Sequence, residues 1–128
     1  MSEPTLYERI GGAPTIAALV DGFYDRMDAR EEARDLRALH REDLSESRRS
    51  LKNYLSEWLG GPALYSPEKG HPRMRMRHMH VKIGLAARDA WLACMRDALD
   101  ETVSDEEARA AIYGNMAKLA DWMRNVEG

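Results

Sequence analysis

The sequence has only one cysteine, no long apolar run and no large excess of charge of either sign. Cys94 is the single cysteine among 128 residues, which excludes an internal disulfide and a zinc site built on cysteines. We expect Cys94 to be a small buried residue. No run of about 18 apolar residues occurs, so we expect no membrane span. The N-terminal stretch MSEPTLYERIGG lacks the apolar segment of a signal peptide, which favours a cytoplasmic protein.

Charged residues are abundant but nearly balanced. They make up 32% of the chain, and the formal net charge is −3, which gives no general attraction to nucleic acid or anionic membranes. The only clearly basic run contains Arg73, Arg75 and Arg77 and has few aromatic residues around it, which argues against a nucleic-acid contact. The length and the 44% hydrophobic content predict one domain over residues 1–128.

Apolar residues recur at helical spacing in four segments, which predicts an all-α fold. The first segment follows Pro14, and the second begins near Ser45. The third begins near Leu85, and the fourth follows the capping box SDEE at Ser104–Glu107. On the second segment Leu51, Tyr54, Leu55 and Trp58 share a face. A short helix or turn between the first two segments is expected to direct Leu36 and Leu39 inward. The alternation in RMRMRHMH is an isolated strand-like signal.

The stretch GHPRMRMRHMHVKIG, residues 70–84, concentrates three kinds of chemically distinctive side chain. Imidazole binds iron, copper and zinc, methionine offers polarizable apolar surface, and the arginine fork matches carboxylates. Haem would use all three, because it has an iron, an apolar ring and two propionates. A copper or zinc site formed by His71, His78, His80 and the methionines is an alternative at this stage.

Several motifs together resemble the truncated haemoglobins of the second group. These are LYERIGG near the start, GFYDRM on the next helix, YLSEWLGGPALY, GHPRMRMRH and ARDAWLACM. Each fragment alone is modestly specific, but their order and spacing are highly specific and run almost from end to end. The resemblance implies a shortened globin fold in which two helices cross over two others around haem b, iron protoporphyrin IX.

The resemblance also implies roles for individual residues. His78 matches the proximal histidine, which binds the iron. Tyr24 matches the distal tyrosine, and Trp91 the tryptophan that marks this group, each a donor to a bound ligand. His40 lies at the corner where the family has Phe, Tyr or His. Two further positions fall on the distal helix: Leu51 and Ser47.

The remaining haem contacts are expected in and around the same motifs. Arg77 is the first choice for a propionate and Arg73 the second, while Tyr65 could add a hydroxyl. Leu55, Met74 and Ile83 complete the expected apolar contacts. The chain departs from the family where a Pro-Phe pair usually follows the proximal histidine, because His80 and Val81 stand there. His80 is expected on the surface or, alternatively, at a propionate.

The expected activity is the binding of dioxygen, and also CO, NO or peroxide, at a five-coordinate iron. Tyr24 and Trp91 would each stabilise bound dioxygen by about 1–3 kcal/mol through a hydrogen bond in a dry pocket. This favours redox chemistry with peroxide or nitrogen oxides, which needs an external reductase of unknown identity. The alternative is an oxygen store, scavenger or sensor without turnover. A monomer or weak homodimer is expected.

Overall fold

A computed structural model of the chain describes residues 3–70, 73, 76 and 78–126. Within these residues there are seven α-helices, one 3₁₀ turn and no β-strand, so the all-α prediction is confirmed. The elements are α1 (Leu6–Ile10), α2 (Ala13–Ala29), the 3₁₀ turn (Glu31–Ala33), α3 (Arg34–Ala38), α4 (Ser45–Trp58), α5 (Ser66–Lys69), α6 (Leu85–Thr102) and α7 (Glu106–Trp122).

Four long helices supply the core, because each places one apolar face against a neighbour. Helix α2 packs against α4 and α6, and α6 packs against α7. The largest fully buried side chains come mostly from these helices: Leu19, Val20, Phe23, Met27, Leu55, Cys94, Met95, Leu99, Ile112 and Met116. Burying one such large apolar side chain contributes about 1.5–3 kcal/mol. The helical periodicity in the sequence therefore marks the faces that hold the molecule together.

The double glycine after α4 allows the chain to pass closely over α1. Gly60 has a φ of +93°, which favours glycine. A Cβ atom on Gly61 would lie 2.3 Å from the ring of Tyr7, so a larger residue would displace that ring. The Tyr7 amide also donates to the Leu59 carbonyl at 3.0 Å. The LGGP motif thus both ends α4 and fixes it against the N-terminal helix.

Two side chains that the apolar period predicts to point inward are partly exposed. Leu36 is buried as expected, but Leu39 is 38% exposed and Trp58 is 37% exposed. Trp58 is the last residue of α4, where Leu55 and Leu59 fill the core instead. Leu39 lines a cavity, described below, rather than a close-packed interior. The apolar period indicates the inward face of a helix, but it does not distinguish a close-packed core from a cavity.

The N-cap of α7 is Asp105, so the prediction of a cap at Ser104 is wrong by one residue. The Asp105 side chain accepts a hydrogen bond from the Ala108 amide at 3.0 Å. The same carboxylate accepts from Arg9 of α1 through Nε at 3.2 Å and Nη2 at 3.1 Å. Asp105 is the N-cap instead of Ser104 because its carboxylate both caps the helix and binds the Arg9 guanidinium.

Replacing Asp105 with alanine is expected to lower the melting temperature by several degrees. The variant loses the cap and leaves Arg9 without this carboxylate. Ser104→Ala is the matched control, because the serine is exposed and does not cap the helix. Thermal unfolding followed by circular dichroism compares the two variants. A larger loss in Ser104→Ala than in Asp105→Ala would contradict this assignment.

Two expectations from composition concern Cys94 and membranes. Cys94 is buried on α6, as expected, and burial raises the pKa of its thiol. The thiol is therefore protonated and unreactive near neutral pH. In the part of the chain that the structure describes, none of the helices is both long and apolar enough to cross a membrane.

Candidate functional site

A cavity of about 520 Å³ lies between α2, α4, α6 and the segment that begins at His78. Its volume falls in the range of small-molecule and cofactor sites. Aliphatic and aromatic side chains together form more than half of the wall, and polar side chains converge on the same space. The apolar wall consists of Leu36, Leu39, Leu51, Val81, Ile83, Ala87, Ala120 and Met123. Such a wall suits a large apolar ligand with few polar groups.

Tyr24 and Trp91 line the same cavity and share an aromatic neighbour. The ring of Phe23 is 4.9 Å from that of Tyr24 and 5.0 Å from that of Trp91, both edge to face. Tyr24 is only 6% exposed. Burial raises the pKa of its hydroxyl to about 12, although the nearby Arg48 opposes this rise. The Tyr24 hydroxyl and the Trp91 indole N–H are therefore both available as donors near neutral pH.

His40 stands beside Tyr24 with one ring nitrogen already engaged. Its Nδ1 lies 3.0 Å from the Leu36 carbonyl oxygen, which can only accept, so Nδ1–H donates. Burial lowers the pKa of the imidazole, which keeps the ring neutral near neutral pH. Nε2 of the neutral ring is then an acceptor. The His40 ring centroid lies 6.1 Å from that of Tyr24.

An ionic network behind Tyr24 joins α4 to α2. Arg48 of α4 donates to Asp25 at 2.8 Å and to Asp21 at 3.0 Å. Lys52, one turn further along α4, also donates to Asp21, at 3.1 Å. The Arg48 guanidinium carbon lies 5.7 Å from the Tyr24 ring centroid, within the range of a cation–π contact. This network fixes the helix that brings Ser47 and Leu51 to the cavity.

His78 faces the cavity from a segment without regular helix. It is half-buried, and its carbonyl accepts from the Val81 amide at 3.1 Å, which closes a turn. His80 follows in the same turn; it is exposed and yet contributes to the cavity wall. His80 is thus exposed, as the surface placement predicts, and it lies at the edge of the cavity.

Two tyrosines and Lys69 meet at another part of the wall. Lys69 lies 5.7 Å from the Tyr65 ring centroid and donates to Glu46 at 3.3 Å. Tyr65 packs edge to face against Tyr54, with the centroids 5.7 Å apart. Arg88 also lines the cavity and donates to Asp121 at 2.7 Å. Fixed positive charge and a phenol hydroxyl near an apolar space suit an apolar ligand with carboxylate groups.

Most of the residues selected from the sequence meet at this one cavity. The cavity is lined by eight of them: Tyr24, His40, Ser47, Leu51, Tyr65, His78, Ile83 and Trp91. Leu55 is not in the wall, because it points into the core and is fully buried there. Arg73 is exposed and does not line the cavity either. Met74 and Arg77 lie outside the described residues.

Several wall residues were missed by sequence reasoning. Arg88 and Ala87 lie three and four positions before Trp91 on α6, a spacing that places them on the same helix face. That spacing was a usable signal. Lys69 lies in the Gly/Pro-punctuated stretch after α4, where nothing in the sequence distinguished it from other lysines. Met123 follows the end of α7, and its approach to the cavity depends on the tertiary fold alone.

The copper or zinc alternative finds no support among the described residues. No group of three or more His, Cys, Asp or Glu side chains is placed there to hold a metal ion. His71, which that alternative also requires, lies outside the described part of the chain. Of the histidines in that alternative, His78 is half-buried at the cavity and His80 is exposed, which fits a metal carried by a larger ligand better than one held by several imidazoles.

Comparison with known proteins identifies the family. The model of a family described as bacterial-like globin matches residues 5–125. The group 2 truncated hemoglobin YjbI of Bacillus subtilis is 39% identical over 119 residues, 93% of this chain and 87% of the relative. The chain belongs to the bacterial-like globins, as a group II truncated haemoglobin.

Solved structures agree with this assignment. The group II 2-on-2 hemoglobin of Agrobacterium tumefaciens matches with a TM-score of 0.96 and 43% identity, covering 100% of this chain and 98% of the other. The cold-adapted truncated hemoglobin of Pseudoalteromonas haloplanktis matches with a TM-score of 0.94 and 36% identity, covering 96% and 99%. The expected two-over-two globin fold is thereby confirmed, with α2 and α4 as one pair and α6 and α7 as the other.

Membership of the globins implies a haem cofactor and the binding of small diatomic ligands. The cavity of this truncated haemoglobin fits such a group chemically. It combines two half-buried imidazoles, His40 and His78, with apolar and aromatic side chains and with cations that match carboxylates.

Proposed function

We propose that this truncated haemoglobin holds haem b through His78, binds dioxygen and other diatomic ligands, and performs redox chemistry on peroxide or nitrogen oxides. The supporting observation is that Tyr24, His40, His78 and Trp91 all line one apolar cavity. Haem supplies an iron that binds diatomic molecules and exchanges electrons. The protein sets the axial ligand, the polarity and the access.

The proximal side and the wall would hold the cofactor. His78 supplies the axial nitrogen, and Leu51 and Ile83 contribute apolar surface. Lys69 and Arg88 are the lining cations that we assign to the propionates, with Tyr65 adding a hydroxyl. Arg73 is exposed and lies outside the wall, and its role as a propionate partner remains a prediction from the sequence. Arg77 and Met74 remain predictions from the sequence.

The distal side would retain the small ligand through two donors. A diatomic ligand that gains negative charge accepts from the Tyr24 hydroxyl and the Trp91 N–H. Neutral His40 cannot donate from Nε2, because its proton is on Nδ1 and held by Leu36. We therefore assign His40 a different role from that of a direct donor. Its ring packs edge to face against the Tyr24 ring, with the centroids 6.1 Å apart, and so helps to fix the orientation of the phenol while the hydroxyl proton stays available to the ligand.

Redox turnover needs electrons that come from outside the chain. Dioxygen and nitric oxide can combine to nitrate with the uptake of one electron, and peroxide takes two electrons and two protons to give two waters. Buried donors aimed at the developing negative charge favour both reactions over simple storage. An unidentified external reductase would supply these electrons.

Stopped-flow kinetics of the haem-loaded protein test the proposal against oxygen storage. We expect consumption of nitric oxide or peroxide to be sustained while a chemical reductant is present. Tyr24→Phe should slow this turnover about tenfold or more, since a preorganised donor is lost. Tyr113→Phe is the control, because this tyrosine lies on α7 away from the cavity. Slow oxygen release with negligible turnover would instead support an oxygen store, scavenger or sensor.

A further inference from the structure

The segment that bears His78 is fixed by the C-terminal end of the chain. After α7, the Asn125 side chain reaches back across 47 positions of sequence to the His78 backbone. Its Nδ2 donates to the Val81 carbonyl at 2.7 Å and to the His78 carbonyl at 3.3 Å. Its Oδ1 accepts from the Ile83 amide at 2.8 Å. One amide side chain therefore binds three backbone groups of this segment.

The Asn125 backbone adds to the same contact. Its own amide donates to the Ile83 carbonyl at 2.9 Å. Residues 78–84 are not helical, so their carbonyl and amide groups lack the regular partners that a helix would supply. Asn125 satisfies several of them at once.

We propose that Asn125 is a positioning residue for His78, an inference that rests on the proposed role of His78 as the iron ligand. An axial histidine has to be held at a fixed distance from the iron and with its ring in a fixed orientation. The groups that orient such a ligand also affect the affinity and reactivity of the metal. Asn125 fixes the backbone carbonyl of His78 itself and the two residues, Val81 and Ile83, that continue the wall. The end of the chain thus sets the proximal geometry.

The chemistry of the contact requires an amide. Val81 and His78 present carbonyl oxygens, which need a donor, while Ile83 presents an N–H, which needs an acceptor. Aspartate has the same shape as asparagine but only accepts. Asn125→Asp keeps the bond from Ile83 and places negative charge against the other two oxygens. The substitution therefore removes the hydrogen bonds to His78 and Val81 and keeps the one from Ile83.

Resonance Raman spectroscopy and haem release of the ferrous, haem-loaded protein test this proposal. We expect the iron–histidine stretching band to shift or broaden in Asn125→Asp. We also expect haem to transfer about tenfold faster to an excess of an apo-globin acceptor. A change of this size corresponds to the loss of about one hydrogen bond. Asn115→Asp is the matched control, because Asn115 is exposed on α7. It should leave the band and the release rate at wild-type values.

A second variant separates positioning from a loss of folding. Asn125→Ala removes the side-chain bonds without adding charge, and it should both alter the band and accelerate amide exchange at Ile83 in the haem-free chain. Circular dichroism verifies the helices of each variant.

The outcomes separate the two proposals. If the wild type has an iron–histidine band that His78→Gly removes, but both Asn125 variants keep the wild-type band and release rate, the positioning role is wrong and the proposed function stands. If the wild type has no such band, or His78→Gly retains it, the proposed ligand is wrong and the positioning role falls with it.

Discussion

His78→Gly is expected to abolish the wild-type haem spectrum and to weaken haem binding by about 100-fold or more, since even groups behind a metal ligand contribute 10–100-fold. The variant loses the imidazole that we assign to the iron while keeping the rest of the cavity. Added imidazole should enter the space left by the side chain and restore the five-coordinate spectrum. Absorption spectra during titration of the haem-free chain with haem give both the affinity and the coordination.

His80→Gly provides a matched control for this prediction. His80 lies in the same turn, is exposed, and also contributes to the cavity wall. Its removal should leave the Soret band and the haem affinity close to those of the wild type. An unchanged spectrum in His78→Gly, or its loss only in His80→Gly, would show that the ligand has been assigned to the wrong imidazole.

Trp91→Phe is expected to speed the release of dioxygen about tenfold or more, because one hydrogen bond in a water-poor pocket is lost. Phenylalanine keeps an aromatic ring beside Phe23, whose centroid lies 5.0 Å from that of Trp91. The change therefore removes the N–H while largely preserving the packing. Displacement of dioxygen by CO, followed by stopped-flow absorption, measures the release rate.

Trp58→Phe is the control for this experiment, because that tryptophan is on α4 outside the cavity wall. Its release rate should equal that of the wild type. Tyr24→Phe should also accelerate release. Because burial raises the pKa of Tyr24 to about 12, its hydroxyl stays protonated, and the wild-type rate should not vary with Tyr24 ionisation between about pH 7 and 9. Release from Trp91→Phe at the wild-type rate would refute the hydrogen bond.

The helices could be predicted from the sequence because their signals are local. Pro14 near the start of α2 and the double glycine after α4 mark boundaries that the structure confirms. The start of α7 is less well defined by the sequence, since Ser104 and Asp105 are both good N-caps. The partner that decides between them, Arg9, lies 96 positions away. A local rule cannot weigh a contact of that kind.

The candidate site was predicted in outline but not in detail. Motif order pointed to Tyr24, His78 and Trp91, and all three line the cavity. Leu55 was chosen because it shares a helical face with Leu51, yet only Leu51 reaches the cavity and Leu55 fills the core. Both positions satisfy the same 3.6-residue period. What separates them is the tertiary packing around each position, which the period does not record.

The all-α class follows from helical period alone, and the resemblance of the motifs to truncated haemoglobins selects His78, Tyr24 and Trp91. Helical period, caps and motif spacing are properties of neighbouring residues, and they survive without the tertiary structure. The places of Lys69 and Arg88 in the wall, and the contact of Asn125 with the His78 segment, arise from the packing of the helices. Those contacts join positions far apart in the chain, and their energy exists only once the helices have packed together.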